Sequence, residues 1–373
     1  MISQDEQLHT IALTLLPGIG NTTAKQLIEA VGSAKEVFSL KNELKTFKEG
    51  FASKVVEAFQ NTKEAFVRAE KEIEFVEKNR IQCLTITDSN YPYRLLECED
   101  APAFFFFKGN ADLNNTHIVS MVGTRKATNY GKDICNNFIS ELKELCPDVL
   151  IVSGLAYGID IHSHKAALSN GLNTVAVLAH GLDRIYPSMH RNTAVDMVSH
   201  GGLITEFLTG TEPERFNFVQ RNRIIAGIAD ATVVVESAEK GGSLITADLS
   251  FSYNRECFAF PGRISDPSSS GCNKIIKQNK AGLITSAKDF VEAMQWSNSN
   301  SKTQNKTVQK ALFIDLTKDE QEIADAITRN GEMQINEISA ETNKPIYIVS
   351  SLLFEMEMKG VVKPTAGGMY RLA

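Results

Sequence analysis

Between about residues 81 and 295 the chain repeats one pattern, a short apolar and β-branched run followed by a segment with apolar residues at helical spacing. Strand candidates stand in order at 81–86, 104–107, 118–122, 150–152, 174–178, 203–205, 232–235, 257–260 and 282–284. Helical segments fall between most of those from 118 onward. Short apolar strands in alternation with amphipathic helices predict a mostly parallel sheet covered on both faces, an α/β fold. Ligands of such sheets sit beyond the carboxyl ends of the strands. Glycines gather at those ends, at Gly123, Gly154, Gly181 and Gly262.

The flanks read differently. Residues 1–80 carry apolar positions at helix spacing and few strand signals. Within them, Leu15-Leu16-Pro17-Gly18-Ile19-Gly20, followed by Ala24 and Leu27-Ile28, has the pattern of a helix-hairpin-helix turn. Its glycine amides could face a nucleic-acid backbone. The other reading is a purely structural hairpin, and Lys25 is the only nearby positive charge. Residues 297–311 are polar and form an expected linker. From 312 to 373 three short helices (319–329, 335–341 and 345–358) precede a terminal hairpin (361–364 and 369–372) around Gly367-Gly368, a winged-helix-like pattern. A wing that reads DNA wants Lys and Arg on its third helix. Here that helix holds Glu355 and Glu357 and no basic residue, which favours a protein contact.

A hydrophobic content of 43% with 23% charged residues suits an ordinary soluble protein, and 373 residues suffice for two or three cores. The net charge of -6 argues against a protein coated in nucleic acid. A local basic groove remains compatible with it, because phosphates feel charge within a Debye length of roughly 8–10 Å. There is no apolar run of membrane-spanning length and no signal-peptide pattern at the start. Six scattered cysteines without a CxxC pair predict reduced thiols and a cytoplasmic location. Neither a metal nor a cofactor is expected. His162 and His164 stand two apart on a helix, so they do not share a face.

Four strand-end segments carry the candidate chemistry. Gly123-Thr124-Arg125 leads toward a helix through Thr128, Asn129 and Gly131, where amides and Arg125 together could hold an anion. The plain alternative is an ordinary turn with a surface arginine. In Ser153-Gly154-Leu155-Ala156-Tyr157-Gly158-Ile159-Asp160, the glycines permit close approach of a ligand or of a helix, and Asp160 suits a helix cap. In Arg215-Phe216-Asn217-Phe218-Val219-Gln220-Arg221-Asn222-Arg223, Phe218 and Arg221 are neighbours on one helix face, the pairing that stacks a base and holds its phosphate. Otherwise Phe218 enters the core and Arg221 pairs with Glu206 or Glu236. Gly241-Gly242-Ser243 opens a helix and suits a phosphate, but no GK[ST] follows, so it is not a P-loop.

Taken in order, these segments resemble the DNA-processing protein A (Smf) family of bacterial natural transformation. Val175-Ala176-Val177-Leu178, Gly181 through Tyr186-Pro187, Tyr91-Pro92, Lys108-Gly109-Asn110 and Pro261-Gly262 fit as well. The resemblance covers roughly residues 80–295. It implies an extended Rossmann DNA-binding domain over 81–296, between an N-terminal SAM/helix-hairpin-helix-like domain (1–80) and the winged-helix-like domain (312–373). It further implies a homodimer that binds single-stranded DNA without sequence preference, protects it and delivers it to the RecA recombinase. On that resemblance the DNA-binding residues are Gly123, Arg125, Gly154, Tyr157, Arg191, Arg215, Phe218, Arg221, Asn222, Arg223, Gly241, Gly242 and Ser243. Two positions depart from the family pattern. Tyr157 stands where a basic residue is frequent, and a contact expected from a lysine after Tyr186-Pro187 falls to Arg191.

The expected function is therefore a non-enzymatic recombination mediator. Two rivals are a nucleotide N-glycosidase or phosphoribohydrolase using Glu206 or Asp160, and a structural dimer that holds a small regulatory nucleotide.

Overall fold

The protein is described from a computed structural model over residues 4–40, 57–296, 316–331, 333–359, 361–365 and 369–372. It divides into two compact units, Met1–Ser297 and Asn298–Ala373. The segment read as a linker, 297–311, lies outside the described residues, as does the Gly367-Gly368 hairpin tip.

A nine-stranded sheet runs through the first unit. Its strands are β1 (Gln82–Thr85), β2 (Phe104–Gly109), β3 (Ile118–Gly123), β4 (Leu150–Ser153), β5 (Thr174–Val177), β6 (Gly201–Thr205), β7 (Ala231–Glu236), β8 (Glu256–Ala259) and β9 (Gly282–Leu283). They lie in the order β1-β2-β6-β5-β4-β3-β7-β8-β9. From β3 to β9 every pairing is parallel, while β1 and β2 add an antiparallel edge beside β6. This is the expected α/β class. All nine strand candidates are present, with ends displaced by a few residues at most.

The β3 side chains show why the runs had to be apolar throughout. Ile118 and Val122 enter one core, while Val119 and Met121 enter the core on the other face. β7 does the same with Val234 on one side and Val233 and Val235 on the other. The topology then creates the cleft. The chain winds outward from β3 to β6, returns across the sheet and places β7 on the other side of β3. Connections leave this point in opposite directions, so the carboxyl ends of β3 and β7 open onto a crevice.

The N-terminal helices (Gln4–Thr14, Asn21–Val31, Ala34–Ser39 and Lys63–Lys78) share a continuous core with β1 and β2. Ser33 caps the third of them by accepting from the Glu36 amide at 3.1 Å. Lys25 is buried in this packing, and its ammonium donates to the Leu96 and Cys98 carbonyls at 2.6 and 2.8 Å. The one cation that favoured a nucleic-acid role for the hairpin is thus committed inside the protein.

The second unit holds helices Lys318–Asn330, Ile335–Thr342 and Ile346–Met358 and a three-stranded sheet in the order β10-β12-β11. Its strands are β10 (Met333–Gln334), β11 (Val362–Thr365) and β12 (Met369–Leu372). Thr317 and Glu320 form a reciprocal capping box at the first helix. Ile323, Ile327, Ile338, Val349, Leu353, Met356 and Val362 make a separate core. β10 was not anticipated, because two residues are too few to display a period.

Candidate nucleic-acid interface

The switch-point crevice is a cleft of about 820 Å³, with Gly123, Thr124 and Arg125 from the end of β3 on one wall and residues 238–246 on another. The helix Arg215–Gly227 supplies a third wall with Arg215, Phe218, Arg221 and Asn222. These stand at helical intervals, so one face of the helix turns toward the cleft.

Arg221 sits at the bottom and is 4% exposed. Its Nη1 donates to the Val177 carbonyl, and its Nε is buried with no hydrogen-bond partner. Asp160 is the nearby carboxylate, not Glu206 or Glu236. A Cβ added at Gly154 would lie 2.4 Å from an Asp160 oxygen and 2.5 Å from Arg221 Nη1, so only glycine leaves room for the pair. Burial pulls the Arg221 guanidinium down to about 10, with Asp160 opposing, and it stays charged at neutral pH. Burial likewise raises the Asp160 carboxyl, against the pull of Arg221.

Phe218 is neither a core residue nor a free platform. The Arg125 guanidinium lies 4.8 Å from its ring centroid and that of Arg221 5.9 Å. Tyr186 meets the same ring edge-on at 6.1 Å. Arg125 and Arg215 are both exposed and make no ion pair among the described residues. An aromatic ring beside one exposed guanidinium, that of Arg125, and one buried guanidinium, that of Arg221, can offer a base a stacking surface and its phosphates a countercharge.

Ser243 begins the helix Ser243–Ser252 behind Gly242, and no side chain caps this end. The Ser243 hydroxyl donates to Ser237 Oγ at 2.9 Å. The other candidate helix start is already filled. Glu236 accepts from the Thr128 amide at 2.9 Å and from its hydroxyl at 2.7 Å, at the start of Asn129–Leu145. The protein supplies its own anion there, so no external phosphate fits the amides that Thr128, Asn129 and Gly131 were expected to present. Gly158, at φ 76°, turns the chain into the helix Ile159–Ser169, where a Cβ would strike the Thr124 carbonyl.

Arg223 faces away from the cleft. It donates to the Glu206 carboxylate and to the Asp100 carbonyl, and Asn21 donates to the same Glu206 oxygen at 2.9 Å. This brace joins the N-terminal helices to the cleft helix and removes both Arg223 from the DNA-contact set and Glu206 from the candidate bases. Tyr157 and Arg191 are exposed but do not line the cleft, and Tyr157 packs edge-on against His190 at 5.2 Å. His164 is a buried core residue between the Thr174 hydroxyl, at 2.7 Å, and the Gly154 carbonyl. Lys240, Lys274 and Lys280 also line the cleft and were missed, Lys240 directly before the Gly241-Gly242-Ser243 segment and the other two outside the strand-end loops. Lys274 faces Glu239 at 3.7 Å and Lys280 faces Asp248 at 2.6 Å.

Residues 82–295 match the family model described as DNA recombination-mediator protein A, and residues 311–368 match that of the DprA winged helix domain. DNA processing protein DprA of Streptococcus pneumoniae is 38% identical over 221 residues, 59% of this chain and 77% of that protein. Protein Smf of Escherichia coli is 32% identical over 288 residues, 76% of this chain and 75% of the relative. The X-ray structure of the Streptococcus pneumoniae protein superposes with a TM-score of 0.61 at 31% identity, covering 79% of this chain and 98% of that one. A structure of DNA processing protein A from Helicobacter pylori, described for its single-stranded DNA binding mode, gives a TM-score of 0.52 at 24% identity. It covers 58% of this chain and 96% of that one, a likeness of fold. Among the described residues no helix is long and apolar enough to cross a membrane.

Proposed function

The chain belongs to the DNA recombination-mediator protein A family, and on that premise we propose that its switch-point cleft binds single-stranded DNA without sequence preference. The observation that carries this reading is the Arg125–Phe218–Arg221 stack at the mouth and floor of the cleft. Guanidinium groups neutralise backbone phosphates whatever the base, and every base has a face to stack. Gly123, Asn222, Gly241, Gly242 and Ser243 complete the contact set, and Asn222 faces the cleft beside them. The resemblance adds the wider role, in which the protein works in the cytoplasm as a non-enzymatic homodimer that protects the strand and loads RecA onto it. The third helix of the second unit suits a protein partner, since Tyr347, Phe354 and Met358 are exposed along one face with no cation among them.

Arg125→Ala and Arg215→Ala are the clean probes, because both residues are exposed and make no ion pair among the described residues. Each should weaken binding of oligo-dT and of mixed-sequence strands alike, and lower the salt slope by about 0.7 per lost phosphate contact. Unchanged affinity in both variants at low salt would sink the assignment. Arg221→Ala is a poorer probe, since it empties a buried site whose guanidinium donates to the Val177 carbonyl and opposes the desolvation of Asp160.

The hydrolase reading retains only Asp160 of its two carboxylates, and that group lies beside Arg221. Release of free base from nucleoside monophosphates would revive it.

A further inference from the structure

We infer that a strand longer than the cleft leaves it over Tyr157 and runs on across the starts of two adjacent helices, Asn129–Leu145 and Ile159–Ser169, with Lys132 and Lys165 on its phosphates. This rests on the reading of the cleft as a single-stranded DNA site. The path begins at the turn that carries Arg125 on the cleft wall. The loop bearing Tyr157 lies directly against that turn. The Ile159 amide donates to the Thr124 carbonyl at 3.1 Å, and a Cβ on Gly158 would stand 2.8 Å from Arg125 Cα. Tyr157 is therefore a neighbour of the cleft wall although it is not part of it. Its side chain is 44% exposed, and the buried His190 holds the ring edge-on at 5.2 Å, so a base can stack on a fixed face.

Beyond Tyr157 the surface is basic. His162, in the first turn of Ile159–Ser169, lies within electrostatic reach of Lys132, Lys165 and His190. Burial first, and then these neighbours, push its imidazole below the ordinary value, so it is neutral at pH 7 and leaves the charge to the lysines. Lys165 is exposed and Lys132 half-buried, and neither has an ion pair among the described residues. The Lys132 ammonium meets Asn129 Oδ1 at 3.5 Å. The two helices are packed together, with the Cys135 and Ser163 side chains 3.7 Å apart, so the lysines stand on one firm surface.

The carboxylates of this region leave the lysines uncovered. Asp160 and Glu236, at the two helix starts, are buried and already engaged, one beside Arg221 and the other with Thr128. Asp133 follows Lys132 in the chain, and consecutive helix residues do not face each other. An aromatic ring followed by uncovered cations, continuous with the Arg125 turn, is the arrangement that tracks a single strand.

The test is a titration of the full-length protein with oligo-dT from about 4 to about 16 nucleotides, over a range of salt. A double variant, Lys132→Ala with Lys165→Ala, should bind the shortest strands as the wild type does. On the longest it should lose about 0.7 of salt slope per phosphate contact. Tyr157→Ala should weaken only the longer strands, several-fold. In the wild type, a long strand carrying one iodouracil should crosslink to Tyr157 under ultraviolet light, a readout that needs no variant to fold. If the double variant keeps the wild-type slope at every length, the strand does not take this path, although the cleft reading survives. A slope lowered equally for the shortest strands would also overturn the path, since the lysines would then act on the cleft itself. If the wild-type protein binds no oligomer at any length, the cleft reading fails and this inference fails with it.

Discussion

Arg221, Arg223 and His164 show how differently similar residues are used. The two arginines are two positions apart on one helix, so they point in diverging directions. One meets Asp160 and the cleft, and the other meets Glu206 and Asn21. His164 is held neutral by burial, which pulls it down to about 4. A carbonyl can only accept, so Nε2–H donates to Gly154, while Nδ1 lies 2.7 Å from the Thr174 hydroxyl. In the unfolded chain the imidazole titrates near its ordinary value of about 6.5. Its contribution to stability is therefore complete above about pH 6.5 and is lost as pH falls toward 4, by roughly 3 kcal/mol in all. Urea unfolding at pH 7 and at pH 4.5 should show a smaller acid loss for His164→Gln than for the wild type. An equal loss in both proteins would mean that other groups dominate the acid limb.

At the scale of elements, a motif's pattern did not decide its use. The Leu15–Gly20 turn does join two helices, yet its cation lies against the Leu96 and Cys98 carbonyls. Lys25→Met should therefore lower thermal stability, by removing two charge-assisted hydrogen bonds of roughly 1.5–3 kcal/mol each. Affinity for single-stranded DNA should stay unchanged, and a lower salt slope in this variant would restore the hairpin as a DNA contact. The two helix starts near the cleft make the same point. Thr128 and Gly242 both stand at the ends of strand-to-helix loops, but Glu236 fills the first and no side chain caps the second. Only the pairing of β3 with β7 brings Glu236 to Thr128, so no local pattern could reveal it.

At the scale of the whole molecule, the two units have separate cores, and the proposed DNA contacts all belong to the first. Leu353→Ala, which empties part of the second core, should cost that unit about 2–5 kcal/mol. Oligo-dT affinity should persist, and a parallel loss of binding would show that the winged-helix unit contributes to it. The amino-acid pattern alone specifies the sheet, because strands buried on both faces must be apolar along their whole length and that leaves a visible mark. It also determined which loops meet at the ligand-bearing edge, since a parallel sheet puts every strand's carboxyl end on one side. The partners of the charged groups come from the folded arrangement instead. Asp160 beside Arg221, Glu206 beside Arg223, and Lys240, Lys274 and Lys280 around the cleft come from segments far apart in the chain. Coulomb forces and burial act on distances in space, and those distances exist only once β7 has crossed back to lie beside β3.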